Sequence, residues 1–278
     1  MNSRKPQVLT AMAGPAISLR GVSKTYRSPG KRPYVAIEEI DLEIDAGRFV
    51  AVVGPSGCGK STLLSLVSGL LAPTGGEISL LGTPVRGIRS DLGFIFQRDA
   101  LLPWRTVAEN VALPLRFRGL GAAEAKERVE AWVSRVGLAP FLTNYPHELS
   151  GGMRKRAQLA QSLVADPAVL LMDEPFSALD VQTRNLMENE LLSLWGAAAK
   201  TVLFITHDLE EAIALSDELV VMTAGPGRIK ARYPVALPRP RNVTEIRFEP
   251  AFAALYKSAW ADLRDEVTRS YERSLRGA

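Results

Sequence analysis

The chain has 278 residues, 46% of them hydrophobic and 23% charged, with a formal net charge of +4. This composition excludes a disordered, collagenous or disulfide-stapled chain and leaves ample length for a packed core. The single cysteine, Cys58, rules out a disulfide within the chain and suits a reducing compartment. No run of about 18 apolar residues is available to span a bilayer, so a soluble protein is expected, with any membrane role coming through a partner.

The first 16 residues, MNSRKPQVLTAMAGPA, imitate a signal peptide only in part, because Gly14 and Pro15 break the short apolar segment. They read as a flexible lead-in. ISLRGVSKTY, IDLEI and RFVAVVG read as strands, separated by the turn signals SPGK and DAG. The apolar run into GPSGCGKST, followed by KSTLLSLVSGLL at helical spacing, reads as strand, glycine-rich loop and helix. GEISLLG and LGFIFQ add two strands. From Leu101 to Ala165 the periods are helical, and AAEAKERVEAWVSRVGL puts Ala125, Val129, Trp132, Val133 and Val136 on one face. Strand patterns return with AVLLMDEP and TVLFITH, each followed by a helix-like segment. The order predicts an α/β core over 17–97 and 166–240, interrupted by a helical insert over 98–165. PGRIKARYPVALPRPRN reads as a hairpin and linker. Within the C-terminal extension, 241–278, Phe252, Leu255, Tyr256, Ala259, Trp260, Leu263, Val267 and Tyr271 follow helical spacing. That amphipathic helix packs on its own domain or makes a dimer or regulatory contact.

Four motifs point to nucleotide chemistry. GPSGCGKST comprises Gly54, Pro55, Ser56, Gly57, Cys58, Gly59, Lys60, Ser61 and Thr62. Its glycines let backbone N–H groups wrap phosphates, Lys60 reaches the β- and γ-phosphates of ATP, and the Ser61 hydroxyl ligates Mg²⁺. Cys58 is read as a packing residue, although its place beside the phosphates leaves a reactive thiol open. VLLMDEP delivers Asp173 and Glu174 to the carboxyl end of a strand, where α/β ligands bind. Asp173 is expected to hold Mg²⁺ through water, and Glu174 to orient or deprotonate the attacking water. TVLFITHD ends a neighbouring strand with His207, a candidate γ-phosphate contact. LGFIFQ ends with Gln97, whose amide can reach both Mg²⁺ and the attacking water. Upstream, Tyr26 is a candidate for stacking on adenine, with Tyr34 as its competitor. Far from all of these, LSGGMRKR sets Ser150 as a helix cap, with Gly151 and Gly152 leaving N–H groups uncovered, a second anion-seeking helix start.

In their order, Tyr26, GPSGCGKST, Gln97, LSGGMRKR, VLLMDEP, SALD and His207, these elements resemble the nucleotide-binding subunit of ABC transporters over residues 17 to 235. The resemblance implies a P-loop NTPase cassette: a RecA-like α/β core, an antiparallel β subdomain and a helical subdomain. It implies a head-to-tail homodimer in which Ser150, Gly151 and Gly152 bind the γ-phosphate held by the partner, with Asp180 of SALD at the two-fold seam, where it also serves as a helix N-cap. The usual LSGGQ reads LSGGM here, so Met153 removes an amide that could contact the partner's ribose. Lys155 and Arg156 are expected to face solvent. Leu101, Leu102, Pro103 and Trp104 are candidates for a groove that receives a membrane subunit, or for core packing. PWRTVAENVALPL and VMTAGPGRI are similar to the branch importing nitrate, sulfonates or taurine.

The resemblance further implies two membrane-spanning permease subunits, through them a substrate-binding protein, and a peripheral position on the cytoplasmic face of a bacterial inner membrane. The alternative is a soluble ABC ATPase acting on nucleic acid or ribosomes, which usually has long coiled-coil inserts or tandem cassettes. Neither is visible, and no aromatic-and-basic patch argues for a nucleic-acid partner. A metabolite kinase with the same phosphate loop would give Ser150 no role.

Overall fold

A computed structural model describes residues 14–276 apart from 31, 90 and 199, so residues 1–13 of the expected lead-in lie outside it. In chain order the elements are β1 (Ile17–Tyr26), β2 (Tyr34–Ile44), β3 (Phe49–Val53), α1 (Lys60–Val67), β4 (Gly75–Leu80), β5 (Thr83–Pro84), β6 (Leu92–Ile95), α2 (Val107–Phe117), α3 (Ala122–Arg135), α4 (Gly151–Leu163), β7 (Val169–Asp173), α5 (Val181–Ala198), β8 (Thr201–Ile205), α6 (Leu209–Leu215), β9 (Glu218–Met222), β10 (Ile229–Pro234), α7 (Val243–Ile246) and α8 (Pro250–Arg276).

Two kinds of strand make two sheets. FVAVV, VLLMD and TVLFI are apolar on both faces, as strands covered on both sides must be. They lie in a six-stranded sheet ordered β10-β9-β3-β8-β7-β6, parallel except where β10 pairs antiparallel with β9. β1 and β2, buried less uniformly and alternating only in the second half of β2, form with β4 and β5 the antiparallel sheet β2-β1-β4-β5. β2 starts at Tyr34, well before the IDLEI segment that its alternation alone marks. The ELVVM strand, β9, was not read from the sequence. It follows Ser216-Asp217 at the end of a short helix and is recognisable only through its pairing with β3 and β10.

Period-2 alternation divides the central sheet between two cores. Phe49, Ala51 and Val53 face one side, together with Leu170, Met172, Val202 and Phe204, and meet the helices of the insert and the C-terminal part. Val50 and Val52, with Leu171, Leu203 and Ile205, face α1 and the inner side of the antiparallel sheet. Of the α3 face read from the sequence, Val129, Val133 and Val136 are buried, and Ala125 and Trp132 pack partly buried against the same core. α8 turns Phe252, Ala259 and Leu263 inward, whereas Trp260, Val267 and Tyr271 stay exposed, so the helix docks along a narrower stripe than the full apolar pattern. No helix among the described residues is long and apolar enough to cross a membrane.

The proline-rich linker is anchored by two arginines, Arg239, which donates to Asp217 Oδ1 and the Leu215 carbonyl, and Arg241. Arg241 is buried, and its guanidinium donates to the carbonyls of Ile213, Ala214 and Ser216 at the end of α6 and of Val235 and Leu237 in the linker itself. The first three are carbonyls of the kind that a helix C-terminus leaves without partners. Arg241→Ala is expected to lower stability by roughly 2–3 kcal/mol, the scale of stranding buried acceptors, measurable as a lower urea midpoint.

Candidate functional site

The phosphate loop joins β3 to α1. Gly57 and Gly59 adopt φ of 77° and 99°, the left-handed region that glycine enters without a Cβ penalty. At Gly59 the space is also closed: a Cβ would lie 2.7 Å from the Ala36 carbonyl oxygen. Lys60 starts α1 and folds back over the loop, its Nζ donating to the carbonyls of Gly54 at 2.8 Å and Pro55 at 3.1 Å. The ammonium therefore sits at the centre of the ring of backbone groups that would surround a phosphate. Cys58 is buried in the core with Val52 and Met222, its sulfur 3.9 Å from Lys60 Nζ, and burial pushes its thiol above the ordinary value while Lys60 opposes the shift. Burial fits the reading of Cys58 as a packing residue, because desolvation disfavours the thiolate that reactivity needs.

The strand ends bring the other polar residues together. Ser61 Oγ donates to Asp173 Oδ1 at 3.2 Å. Burial raises the Asp173 carboxyl pKa and the charge of Glu174 adds to this, while the Ser61 hydrogen bond and Lys60 oppose it. Glu174 has φ of 41°, an uncommon conformation for a residue with a side chain. Its N–H still pairs with the Ile205 carbonyl at 2.8 Å, so the chain leaves the sheet only after this residue. One carboxylate oxygen, Oε2, is then met from two sides: Gln97 Nε2 donates to it at 3.3 Å and His207 Nδ1 lies 2.9 Å away. Gln97, Glu174 and His207, which follow β6, β7 and β8, thus converge on one oxygen.

Both candidate tyrosines reach the loop. The Tyr26 hydroxyl is 3.4 Å from Thr62 Oγ1, and the Tyr34 hydroxyl donates to the Gly57 carbonyl at 3.2 Å. Their rings are cross-strand neighbours in the β1–β2 pair and are exposed. Asp180 caps α5, accepting from the Thr183 N–H at 3.0 Å, and these N–H donors hold its carboxyl below the ordinary value.

The signature segment lies elsewhere. Ser150 caps α4 by accepting from the Met153 N–H at 3.3 Å, and among the described residues no hydrogen bond or ion pair joins Ser150, Gly151 or Gly152 to the phosphate loop. Gly152 is packed against α5, where a Cβ would come within 3.0 Å of Thr183 Cγ2. Met153 packs partly buried on the core. The expectation that Lys155 faces solvent is wrong. It is buried, with Nζ donating to the carbonyls of Phe96 and Gln97 and to Gln158 Oε1, and lying 3.5 Å from Asp99. Arg156 is half-buried and pairs with Glu190 at 3.1 Å. Lys155 is the residue that sequence reasoning missed. A signal existed, because Lys155, Gln158 and Ser162 are spaced along one helical face, and all three bond carbonyls between Phe94 and Arg98. Of the candidates for a membrane-subunit groove, Leu101 is buried and Trp104 is 69% exposed. Asn110 stitches the loop between them through the Leu102 N–H and the carbonyls of Leu102, Arg105 and Thr106.

A lysine-centred glycine loop between strand and helix, with a hydroxyl–carboxylate pair and a polarised glutamate at adjacent strand ends, is the arrangement of a phosphate-loop nucleotide hydrolase. Comparison with known proteins narrows the class. A family profile described as ABC transporter matches residues 37–177. The aliphatic sulfonates import ATP-binding protein of Bacillus cereus is 41% identical over 257 residues, covering 92% of this chain and 96% of that protein. The taurine import ATP-binding protein of Burkholderia pseudomallei is 44% identical over 250 residues, covering 88% and 96% respectively. Among solved structures, the dimeric ATP-binding cassette MJ0796, in a post-hydrolysis state bound to ADP and phosphate, superposes with a TM-score of 0.71 at 30% identity, over 80% of this chain and all of that one. The chain belongs to the ABC transporter family. It is an ATPase, with ATP as its nucleotide and Mg²⁺ as the accompanying cation.

Behind His207 lies a buried acidic cluster. Thr206 Oγ1 donates to Glu211 Oε2, and Asp208, which caps α6, pairs with Arg184 at 3.3 Å. Glu188 lies 3.7 Å from Arg247, and its two carboxylate oxygens and Glu211 Oε1 have no hydrogen-bond partner among the described residues. Burial raises both carboxyls from an ordinary 4.5, Glu188 to about 7 and Glu211 to about 8. The folded protein therefore binds these protons more tightly than the unfolded chain does. The stabilisation is complete below the unfolded value and is lost as pH rises through the folded ones. Stability in urea is expected to fall between about pH 5 and about pH 8, and Glu211→Gln, which is neutral throughout, should flatten that slope.

Proposed function

We propose that this chain is the ATP-hydrolysing subunit of an importer for a small anion or organic compound of the sulfonate, taurine or nitrate kind. The reading is supported by the relatives named for sulfonate and taurine import, which match the chain over nearly its whole length. The observation behind the chemistry is the single Glu174 oxygen held between Gln97 and His207.

In this reading the loop from Gly54 to Thr62 wraps the triphosphate with N–H donors, and Lys60 exchanges the Gly54 and Pro55 carbonyls for phosphate oxygens. Ser61 and Asp173, with Gln97 beside them, would hold Mg²⁺. Their fit is chemical: a hydroxyl and a carboxylate within 3.2 Å are hard oxygen donors. When bound, the ion screens charge between phosphate oxygens. Glu174 orients the attacking water and accepts its proton. Gln97 and His207 fix the carboxylate, and His207, exposed at the edge, faces the γ-phosphate. Tyr26 stacks on adenine, with Tyr34 bracing the loop from behind.

Ser150, Gly151 and Gly152 complete the site of a second copy, so the working unit is a homodimer with two nucleotides at its seam, and Asp180 of each copy lies between them. The dimeric cassette that this chain resembles supports this arrangement. Two membrane-spanning subunits, and through them a substrate-binding protein, receive the motion, and the chain sits peripherally on the cytoplasmic side of the membrane. The exposed Trp104 loop is the surface offered to the membrane subunits.

Glu174→Gln is expected to bind ATP, slow hydrolysis by about 10²–10⁴-fold and shift the protein to a dimer on gel filtration with ATP and Mg²⁺. A protein that stays monomeric under those conditions contradicts the assignment. Ser150→Arg should retain nucleotide binding at the phosphate loop yet lose ATPase activity, because the inserted side chain occupies the partner's phosphate position. Retained turnover would move the site back within one copy.

A further inference from the structure

The loop between β9 and β10, residues 223–228, leans on the phosphate loop from behind. At Gly227 a Cβ would fall 2.1 Å from the Cys58 carbonyl oxygen, and at Gly225 it would lie 3.7 Å from the Gly57 carbonyl oxygen and 3.8 Å from the Tyr34 hydroxyl. A Cβ on Gly54 would meet Met222, the residue entering this loop, at 3.2 Å. Gly227 is also tied to β2: its N–H donates to the Ala36 carbonyl at 2.9 Å, and its carbonyl accepts from the Glu38 N–H at 3.0 Å. The loop, with Met222 before it, therefore backs the phosphate loop and the strand that begins at Tyr34.

Its other side is gripped by the C-terminal helix. Glu266 of α8 is buried, and its Oε2 accepts from the Ala224 N–H at 2.8 Å. Its second oxygen is neutralised by Lys230 at 3.1 Å and Arg269 at 2.9 Å, so the buried charge is paired. Two turns on, Arg273 donates to the carbonyls of Ala224 and Gly225. An N–H and two carbonyls of one short segment are thus held by one helix, and the same segment packs closely on the Cys58 backbone at Gly227 and lies near that of Gly57 at Gly225.

We propose that Glu266 and Arg273 are positioning residues for the nucleotide site, setting the phosphate loop through Ala224–Gly227 and so making ATP affinity depend on how α8 is seated. The proposal rests on the reading of Gly54–Thr62 as the ATP site. It gives the C-terminal extension a role that its sequence, without chemistry of its own, does not suggest. A ligand or protein that pulled α8 away would loosen ATP without touching the site.

The test is a titration of the full-length protein with mant-ATP and Mg²⁺, followed by fluorescence anisotropy, alongside the thermal midpoint of each variant. Glu266→Ala and Arg273→Ala are expected to raise the mant-ATP Kd roughly fivefold, the scale of a lost hydrogen bond. Glu266→Gln, which keeps an oxygen for the Ala224 N–H, should stay within about twofold of wild type. In steady-state assays the alanine changes should appear in KM for ATP more than in kcat. Arg273 lies on the exposed side of α8, so its variant decides the matter if Glu266→Ala does not fold. Folded alanine variants that bind mant-ATP as wild type does would overturn the proposal while leaving the ATP site intact. Weak binding by Glu266→Gln equal to that of Glu266→Ala would overturn the hydrogen-bond account. Wild-type protein that fails to bind mant-ATP would overturn the underlying reading as well.

Discussion

Parallel pairing of β3, β8, β7 and β6 brings four chain segments, far apart in sequence, to one sheet edge. Each strand is apolar while it lies between the two cores and turns polar at its last residue or just beyond. The phosphate loop follows Val53, Gln97 follows Phe96, Asp173 ends β7 with Glu174 next, and His207 follows Thr206. Register fixes their separation. Met172 pairs with Phe204 and Asp173 with Ile205, so a one-residue slip of β7 would turn Asp173 and Glu174 to opposite faces and break the hydroxyl–carboxylate pair. The hydrophobic strands are thus the ruler against which the polar atoms are placed. That placement is secured by the burial of Val202, Leu203, Phe204 and Ile205 more than by any polar contact at the edge.

Much of this was legible beforehand because the strands signal themselves twice, by apolar runs and by what terminates them. The glycine loop, the Asp173-Glu174 pair and His207 each follow a short apolar segment, and the convergence of Gln97, Glu174 and His207 needs only parallel neighbours. Legibility stops where contacts depend on tertiary packing. Lys155 looks like a surface residue in LSGGMRKR, yet burial lowers its pKa and four polar groups surround it. Only the helical face it shares with Gln158 and Ser162 distinguishes it from Arg154, one residue earlier, which pairs with Asp99 while half-exposed. The choice between Tyr26 and Tyr34 could not be made from sequence for a similar reason: adjacent in an antiparallel pair, they approach the same loop through different atoms.

Lys155 also links two parts of the site that are separated in the chain. Its ammonium bonds the carbonyl of Gln97, while its helix begins at Ser150. The helix that would meet the partner's nucleotide is therefore tied to the backbone of the residue whose amide holds Glu174. The connection is short and made of a buried charge against backbone dipoles, which resists rearrangement more than a solvent-exposed ion pair would.

The inward turn of Cys58 has a practical meaning. Its sulfur is sealed beneath the very loop that would hold the triphosphate, and it is the chain's single thiol. An alkylating reagent can reach it only through a local opening of the buried region around it, so the labelling rate reports openings beside the cradle. The protein thus has a native clock for its own breathing, read without any introduced probe.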